Sequence, residues 1–341
     1  MKRNQPKSDL QRHSSSQFKP APTAMDFRLA SVISLLFVVF LSGCASLPQA
    51  FRQSLVVIVP HQVDFVELEY YAKRSRAAYT SASEIRRQFP QTTRVTTVKS
   101  VDVLYFLETD RQQKTQTLTI RGTTNKPNVW QDLEIALVKD SRLGINLHRG
   151  FRNDAVKIYA DVKPYMKRDY SIRVTGHSLG AAIAAITAGY LFEDGFKVER
   201  LVTFGGPKVT DREGKKAIQI DIILTRVIHD NDVVPMIPPS GFLSGSYQHF
   251  GPEVILRDGR KYVYLPAHDA NRLSVGDFWR NITDFSTKEH HMSAYLSNIE
   301  EKVQNGTRQV PYFGLATASG SGAKASTVSV NSNSAQAAQA P

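Results

Sequence analysis

Ser178 stands at the centre of Gly176-His177-Ser178-Leu179-Gly180. A serine hydroxyl is a weak nucleophile alone. It needs a base within hydrogen-bond reach, and the base needs a third group to orient it. The residues around Ser178 have the order that such chemistry requires. A β-branched run, Ile172, Val174 and Thr175, precedes it. Ala181 to Leu191, rich in Ala, Ile and Leu and free of proline, follows it and predicts a helix. Strand, G-x-S-x-G and helix together form the setting of a nucleophile elbow. Glycines two before and two after the serine let strand and helix approach closely. The helix N-terminus then aims free N–H groups, and the positive end of its dipole, at the place where an oxyanion forms. A motif this short also arises by chance, and a Gly-rich turn between core elements is the competing reading.

Candidate partners lie downstream. Asp230 and Asp232, in His229-Asp230-Asn231-Asp232-Val233-Val234-Pro235, follow the apolar run Ile222 to Ile228. They therefore fall on a loop at the carboxyl end of a strand, where ligands gather in parallel sheets. His290 and His291 stand just before a predicted helix, Met292 to Ile299, and either can serve as the base. His177, inside the motif, reads as a packing histidine. His148, His229, His249 and His268 lack metal-ligand spacing and read as loop or packing residues. Cys44 is the sole cysteine. That excludes an intrachain disulfide and a cysteine-based metal site.

The elements that must position these side chains follow from periodicity. The chain has 341 residues, 41% apolar and 22% charged, an ordinary globular balance. Residues 151–166, 178–193 and 291–304 predict helices, and the β-branched runs at 171–175, 199–204 and 221–228 alternate with them. This alternation predicts a mostly parallel sheet covered on both faces. Asp64 to Tyr79 predicts an amphipathic helix capped by Asp64. Val101 to Glu108 and Thr115 to Ile120 predict a hairpin across Asp110 to Lys114. Leu55 to Val59 predicts a short strand stopped by Pro60. Glu253 to Leu265 predicts two strands around Asp258-Gly259. After Pro311 the composition turns to Ala, Ser, Gly and Asn, and 315–341 is expected to be disordered. No internal repeat is present.

The N-terminus carries a separate signal. Residues 1–24 are polar and basic, Arg28 follows, and Leu29 to Leu41 is apolar but short for a membrane span. The run closes in Leu41-Ser42-Gly43-Cys44, which resembles the bacterial lipobox. That resemblance implies cleavage before Cys44, acylation of Cys44 and anchoring to the membrane by several chains. The tail before Arg28 is long for a signal peptide, so Met25 is a candidate start. Ala45 rather than aspartate after the cysteine implies the outer membrane of a bacterial cell envelope. A buried apolar helix with a chance cysteine is the alternative. The formal charge is +12. Such a charge favours anionic membranes or nucleic acid, but no nucleic-acid motif is present and none is expected as a partner.

Further landmarks occur in order: Arg121-Gly122-Thr123, Trp130 to Leu133, His148 to Phe151, the Gly176 to Gly180 elbow, Thr203 to Pro207, Asn231 to Pro235, and His290 to Leu296. Together they resemble the class 3 lipase family, over roughly residues 65–305. The resemblance implies an α/β-hydrolase fold. Its N-D-x-V-P register selects Asp232 over Asp230. Its late histidine before Tyr-Leu selects His290 over His291. It implies an oxyanion hole from the Leu179 N–H, the residue after the nucleophile, and from Thr123, whose hydroxyl adds a third bond. It also implies a lid over Asn128 to Leu147, where Val129, Trp130, Leu133, Ala136 and Leu137 fall on one helical face. A fixed surface helix is the alternative there. The expectation is thus a domain of residues 61–310 behind a leader (1–43) and a lipidated tether (44–60), with a low-complexity tail (311–341). Its activity is that of a lipid-anchored serine carboxylester hydrolase on acylglycerols, or on phospholipids, without metal or organic cofactor. A non-catalytic envelope lipoprotein that uses the same fold for binding is the reading from a different class.

Overall fold

Short β-branched runs and apolar helices alternate along the chain, and the computed structural model shows what they build. It describes residues 54–57, 61–122, 136–217, 224–238, 247–267, 269–270 and 288–315. Cys44 with the apolar run before it, Thr123, His268, and the part of the expected lid from Asn128 to Ile135 lie outside the described residues. All described residues fall in one unit, Gln53–Pro341.

The strands are β1 (Ser54–Val57), β2 (Thr92–Val98), β3 (Val103–Asp110), β4 (Thr115–Ile120), β5 (Leu137–Lys139), β6 (Asn146–His148), β7 (Ser171–His177), β8 (Lys197–Phe204), β9 (Leu224–His229), β10 (Glu253–Leu256), β11 (Lys261–Leu265), β12 (Arg308–Gln309) and β13 (Tyr312–Leu315). The helices are α1 (Phe65–Ala77), α2 (Ala82–Gln88), α3 (Arg149–Val162), α4 (Leu179–Glu193), α5 (Arg212–Ala217) and α6 (Met292–Asn305). Nine strands form one sheet in the order β12-β11-β10-β9-β8-β7-β4-β3-β2. Its centre, β4-β7-β8-β9-β10, is parallel, and β2, β3 and β11 pair antiparallel at its flanks. This is the α/β-hydrolase fold.

Alternation along each strand sends side chains to opposite faces. In β8, Leu201 joins a cluster with Leu118, Ile120, Ile172 and Val174 under α3 and α4. Its neighbours Val202 and Phe204 join Val227, Val254 and Leu256 under α1 and α6. α4 is apolar on every side and is buried from Gly180 to Leu191, as a helix without a polar face must be. α1 begins at Asp64, whose carboxylate accepts from the N–H groups of Val66 and Glu67 at 3.0 Å each. α3 starts at Arg149, two residues before the periodicity suggests, because His148 Nδ1 accepts from the Phe151 N–H at 3.3 Å and caps it.

Three expectations change. Residues 137–139 are not helical: β5 pairs antiparallel with β6, Leu137 opposite His148 and Val138 opposite Leu147. Asp140 explains the turn. Its buried carboxylate accepts from the N–H groups of Arg142 and Leu143 at 3.0 and 2.8 Å, and from Tyr190 Oη at 2.7 Å. Second, ordered chain continues past residue 310. β13 pairs with β1, and Tyr312 is buried against Ile228, Ile255 and Val263. Third, α2 and β2 were not expected. Their apolar contacts come from a few residues such as Ile85 and Val95 packed on Phe106, too few to show a period.

Candidate active site

β7 ends at His177, and the next residue turns into a conformation that side chains rarely adopt. Ser178 has φ 60° and ψ −131°. Such strain persists only where the surroundings over-determine it. Here the Ser178 N–H donates to Phe204 O at 2.9 Å, and β7, α4 and the end of β4 are pressed together. A Cβ on Gly176 would lie 2.4 Å from Gly180 O, and one on Gly180 would lie 2.3 Å from Ile120 O. Ser178 occupies the N-cap of α4 but makes no capping bond with its side chain. Its hydroxyl is therefore left for another partner.

That partner is His290, in the turn before α6. His290 Nε2 lies 2.8 Å from Ser178 Oγ, and Nδ1 lies 2.8 Å from Asp232 Oδ2. A carboxylate only accepts, so Nδ1 carries the proton and Nε2 is the acceptor for the serine hydroxyl. Asp232 has no exposed surface. It follows β9 in a turn closed by the Asp232 N–H to His229 O at 3.0 Å. Its Oδ1 accepts from the Val234 N–H at 2.9 Å, and Oδ2 also accepts from Tyr295 Oη at 2.6 Å. Burial works against its charge, but the His290 ring and the hydrogen bonds from His290, Tyr295 and Val234 outweigh it. The carboxyl stays below the usual carboxylate range. Gly205, at φ +55°, makes room for this pair: a Cβ there would lie 2.8 Å from Asp232 Oδ2 and 3.2 Å from His290 Nδ1.

The structure thus brings together Ser178, Asp232 and His290. It does not bring in Asp230, which pairs with Arg257, nor His291, which is exposed at the N-cap of α6. Leu179 opens α4, so its N–H is among those that a helix leaves without an intrahelical acceptor. Gly122, two residues past β4, lies against the elbow, where a Cβ would meet His177 O at 2.7 Å and Ser178 Cβ at 3.0 Å. The residue after it, Thr123, lies outside the described residues. His249 Nε2 donates to Pro235 O at 2.6 Å in the core, since a carbonyl only accepts. His148 caps α3 and stacks on Phe151.

Two residues of the site escaped the sequence reading. Tyr295 appears there only as part of a Tyr-Leu landmark, yet its hydroxyl bridges Asp232 and the His229 N–H, the latter at 2.9 Å. Tyr79 was seen only as the end of a helix, yet its hydroxyl reaches His177 Nδ1 at 2.7 Å. His177 in turn does more than pack. Its Nε2 lies 2.7 Å from the His290 carbonyl oxygen. Among the described residues no group of three His, Cys, Asp or Glu side chains could hold a metal, and no helix is long and apolar enough to cross a membrane.

An α/β-hydrolase sheet with a serine, histidine and aspartate hydrogen-bonded at the ends of its strands defines the class. The class 3 lipase family model matches residues 117–242, a span that holds Ser178 and Asp232 and supports that family for this part of the chain. Among curated relatives, a secreted mono- and diacylglycerol lipase of Fusarium solani is 32% identical over 162 residues, 45% of this chain and 47% of the relative. A lipase of Rhizopus niveus is 26% identical over 206 residues, 57% of this chain and 51% of the relative. The chain thus spans about half the length of these relatives. The crystal structure of a lipase from Rhizopus microsporus var. chinensis superposes with a TM-score of 0.52 at 25% identity, covering 61% of this chain and 80% of that one. Lipase II from Rhizopus niveus superposes at 0.51 and 22% identity, over 61% and 84%, and shares the fold.

Proposed function

We propose that this protein is a serine carboxylester hydrolase of lipase type that cleaves acylglycerol esters through an acyl-enzyme. The observation that carries this reading is the unbroken chain Ser178 Oγ, His290 and Asp232, with both links at 2.8 Å. In this mechanism Ser178 Oγ attacks the ester carbonyl carbon while its proton passes to His290 Nε2. Asp232 holds the Nδ1–H tautomer and stabilises the imidazolium. The Leu179 N–H and Thr123 receive the oxyanion. His290 returns the proton to the departing alcohol, then takes one from the water that attacks the acyl-serine and gives it to Ser178 Oγ as the carboxylic acid leaves. The acylglycerol substrate is inferred from the relatives, one of which is described as a mono- and diacylglycerol lipase. Phospholipids are the second substrate class.

Anchoring belongs to the same proposal. Arg28, the apolar run Leu29 to Leu41 and Leu41-Ser42-Gly43-Cys44 support acylation at Cys44 and attachment in a bacterial envelope, in the outer membrane by the Ala45 criterion. Mass spectrometry of the membrane-extracted protein tests it, since an unmodified Cys44 in the mature chain would refute it.

The catalytic reading is tested with p-nitrophenyl esters of short and long acyl chains, with and without micelles, on the wild type and Ser178→Ala. Activity that disappears in the variant supports a serine esterase. A long-chain preference that rises in micelles marks a lipase, and release from phospholipid vesicles marks a phospholipase. Equal rates for the two proteins would leave the fold as a binding module.

A further inference from the structure

The base of the triad is held at two points, and only one of them is Asp232. The second lies on the main chain of His290, whose carbonyl oxygen is 2.7 Å from His177 Nε2. The proton positions follow from chemistry alone. A carbonyl only accepts, so His177 Nε2 carries the hydrogen. A neutral imidazole then has a bare Nδ1, and the group 2.7 Å from it is the Tyr79 hydroxyl, which must donate. Tyr79 Oη in turn lies against the Gly122 backbone, where a Cβ would be only 2.5 Å from it. One directed chain therefore runs from Tyr79 through His177 to the main chain of the base. Burial, aided by the nearby His290 ring, depresses the His177 pKa to about 3. The ring is thus neutral across the neutral range, and its two hydrogen bonds fix the tautomer.

We propose that Tyr79 and His177 are positioning residues that lock His290 to the nucleophile elbow through its carbonyl, independently of Asp232. The proposal rests on the serine-hydrolase reading above. His177 is the chain neighbour of Ser178, so this bond ties the backbone of the base to the backbone beside the nucleophile. The two imidazoles lie with centroids 4.8 Å apart, tilted by 33°, which leaves no space for His290 to sink towards the sheet. The Tyr79 hydroxyl that starts this chain also packs on Gly122, directly before Thr123.

The test compares His177→Leu, His177→Gln and Tyr79→Phe with the wild type and Ser178→Ala in the full chain. Melting temperatures first identify which variants are folded. p-Nitrophenyl butyrate turnover, labelling by a fluorophosphonate, and the far-downfield proton of the His290–Asp232 bond in the NMR spectrum are then measured. Misplacement of a base by a fraction of an ångström to an ångström costs up to about 100-fold. His177→Leu is accordingly expected to lose about 100-fold in kcat and in labelling rate, with KM unchanged and the downfield proton broadened. His177→Gln keeps an N–H within reach of the carbonyl and is expected to recover about tenfold of that loss, the worth of one hydrogen bond. Tyr79→Phe is expected to lose about tenfold. A folded His177→Leu with wild-type kcat and an unchanged downfield proton would overturn the proposal. So would a His177→Gln no better than His177→Leu, which marks packing alone. If His177→Leu does not fold, Tyr79→Phe with wild-type kcat and proton signal overturns it. Failure of the underlying reading is seen separately, as wild-type protein that resists the fluorophosphonate or Ser178→Ala that turns over normally. The downfield proton still reports on His290 in that case.

Discussion

Ser178 and Asp232 each accept a local cost that the proposed chemistry requires. For Ser178 the cost is backbone strain at φ 60°. Glycine adopts that conformation without penalty, so Ser178→Gly is expected to raise stability by about 1 kcal/mol while abolishing turnover. Thermal melts of the two proteins check this, and a lower melting temperature for the variant would show that the elbow is not strained. For Asp232 the cost is burial of a charge. Asp232→Asn would reverse the bond to His290 and select the wrong tautomer. It is expected to lower kcat by about 10⁴-fold, the loss known for such a change in a serine protease triad, with KM little changed. The pH dependence has a definite sign. A carboxyl whose pKa is lowered in the fold contributes stability above the usual carboxylate range, and that contribution is lost as pH falls through the lowered value. Acid therefore removes the site and part of the fold's stability together.

At the scale of elements, the site depends on how closely β4, β7 and α4 approach. The contact is made between backbones at Gly176 and Gly180, where a Cβ would not fit. In Gly180→Ala the new methyl would sit 2.3 Å from Ile120 O, and strand and helix would have to separate. The expected loss is about 3 kcal/mol or more, with activity falling in parallel. A chemical-denaturation curve shifted by less than about 1 kcal/mol would show that the junction can relax. The β5–β6 hairpin makes the complementary point. Ala136 and Leu137 fall on a helical face by spacing. The Asp140 carboxylate, which bonds two backbone N–H groups and Tyr190, settles the segment as a turn between strands.

Across the whole molecule, the loop that carries Asp232 is tied back to the loop after β8 by a buried amine. Lys208 is 2% exposed, and Nζ donates to Met236 O at 2.8 Å and to Pro238 O at 3.2 Å. Burial, with Arg226 nearby, lowers its pKa from 10.5 to about 7. The slope has the same sign as for Asp232, because this pKa too lies below its unfolded value, but here it is the charged form that the fold disfavours. The fold disfavours the charged form, so the unfolded chain binds more protons between the two values, and stability rises with pH from about 7 upward. In Lys208→Met that slope is absent. Between pH 7 and 9 the wild type is expected to gain about 1 kcal/mol or more over the variant. Parallel melting curves for the two proteins across that range would show that Lys208 titrates normally.

What the sequence determined by itself is local. The strand, turn and helix around Ser178, the Asp64 cap, the alternation of apolar runs and the position of Asp232 after a strand all depend on backbone preferences and side-chain periods within a few residues. Each can therefore be read from its own neighbourhood, and a mostly parallel sheet covered on both faces follows from their order. What the tertiary structure decided is which distant groups meet. His290 reaches Ser178 from 112 residues away, and Tyr79 reaches His177 from 98. Residues alone left His290 and His291 as alternatives, because neighbours in a turn differ only in where each one points. Tyr295 and His177 were visible only as a landmark and a packing residue. A hydroxyl or an imidazole finds its partner only when the sheet and α6 pack around it, and no local period records that meeting.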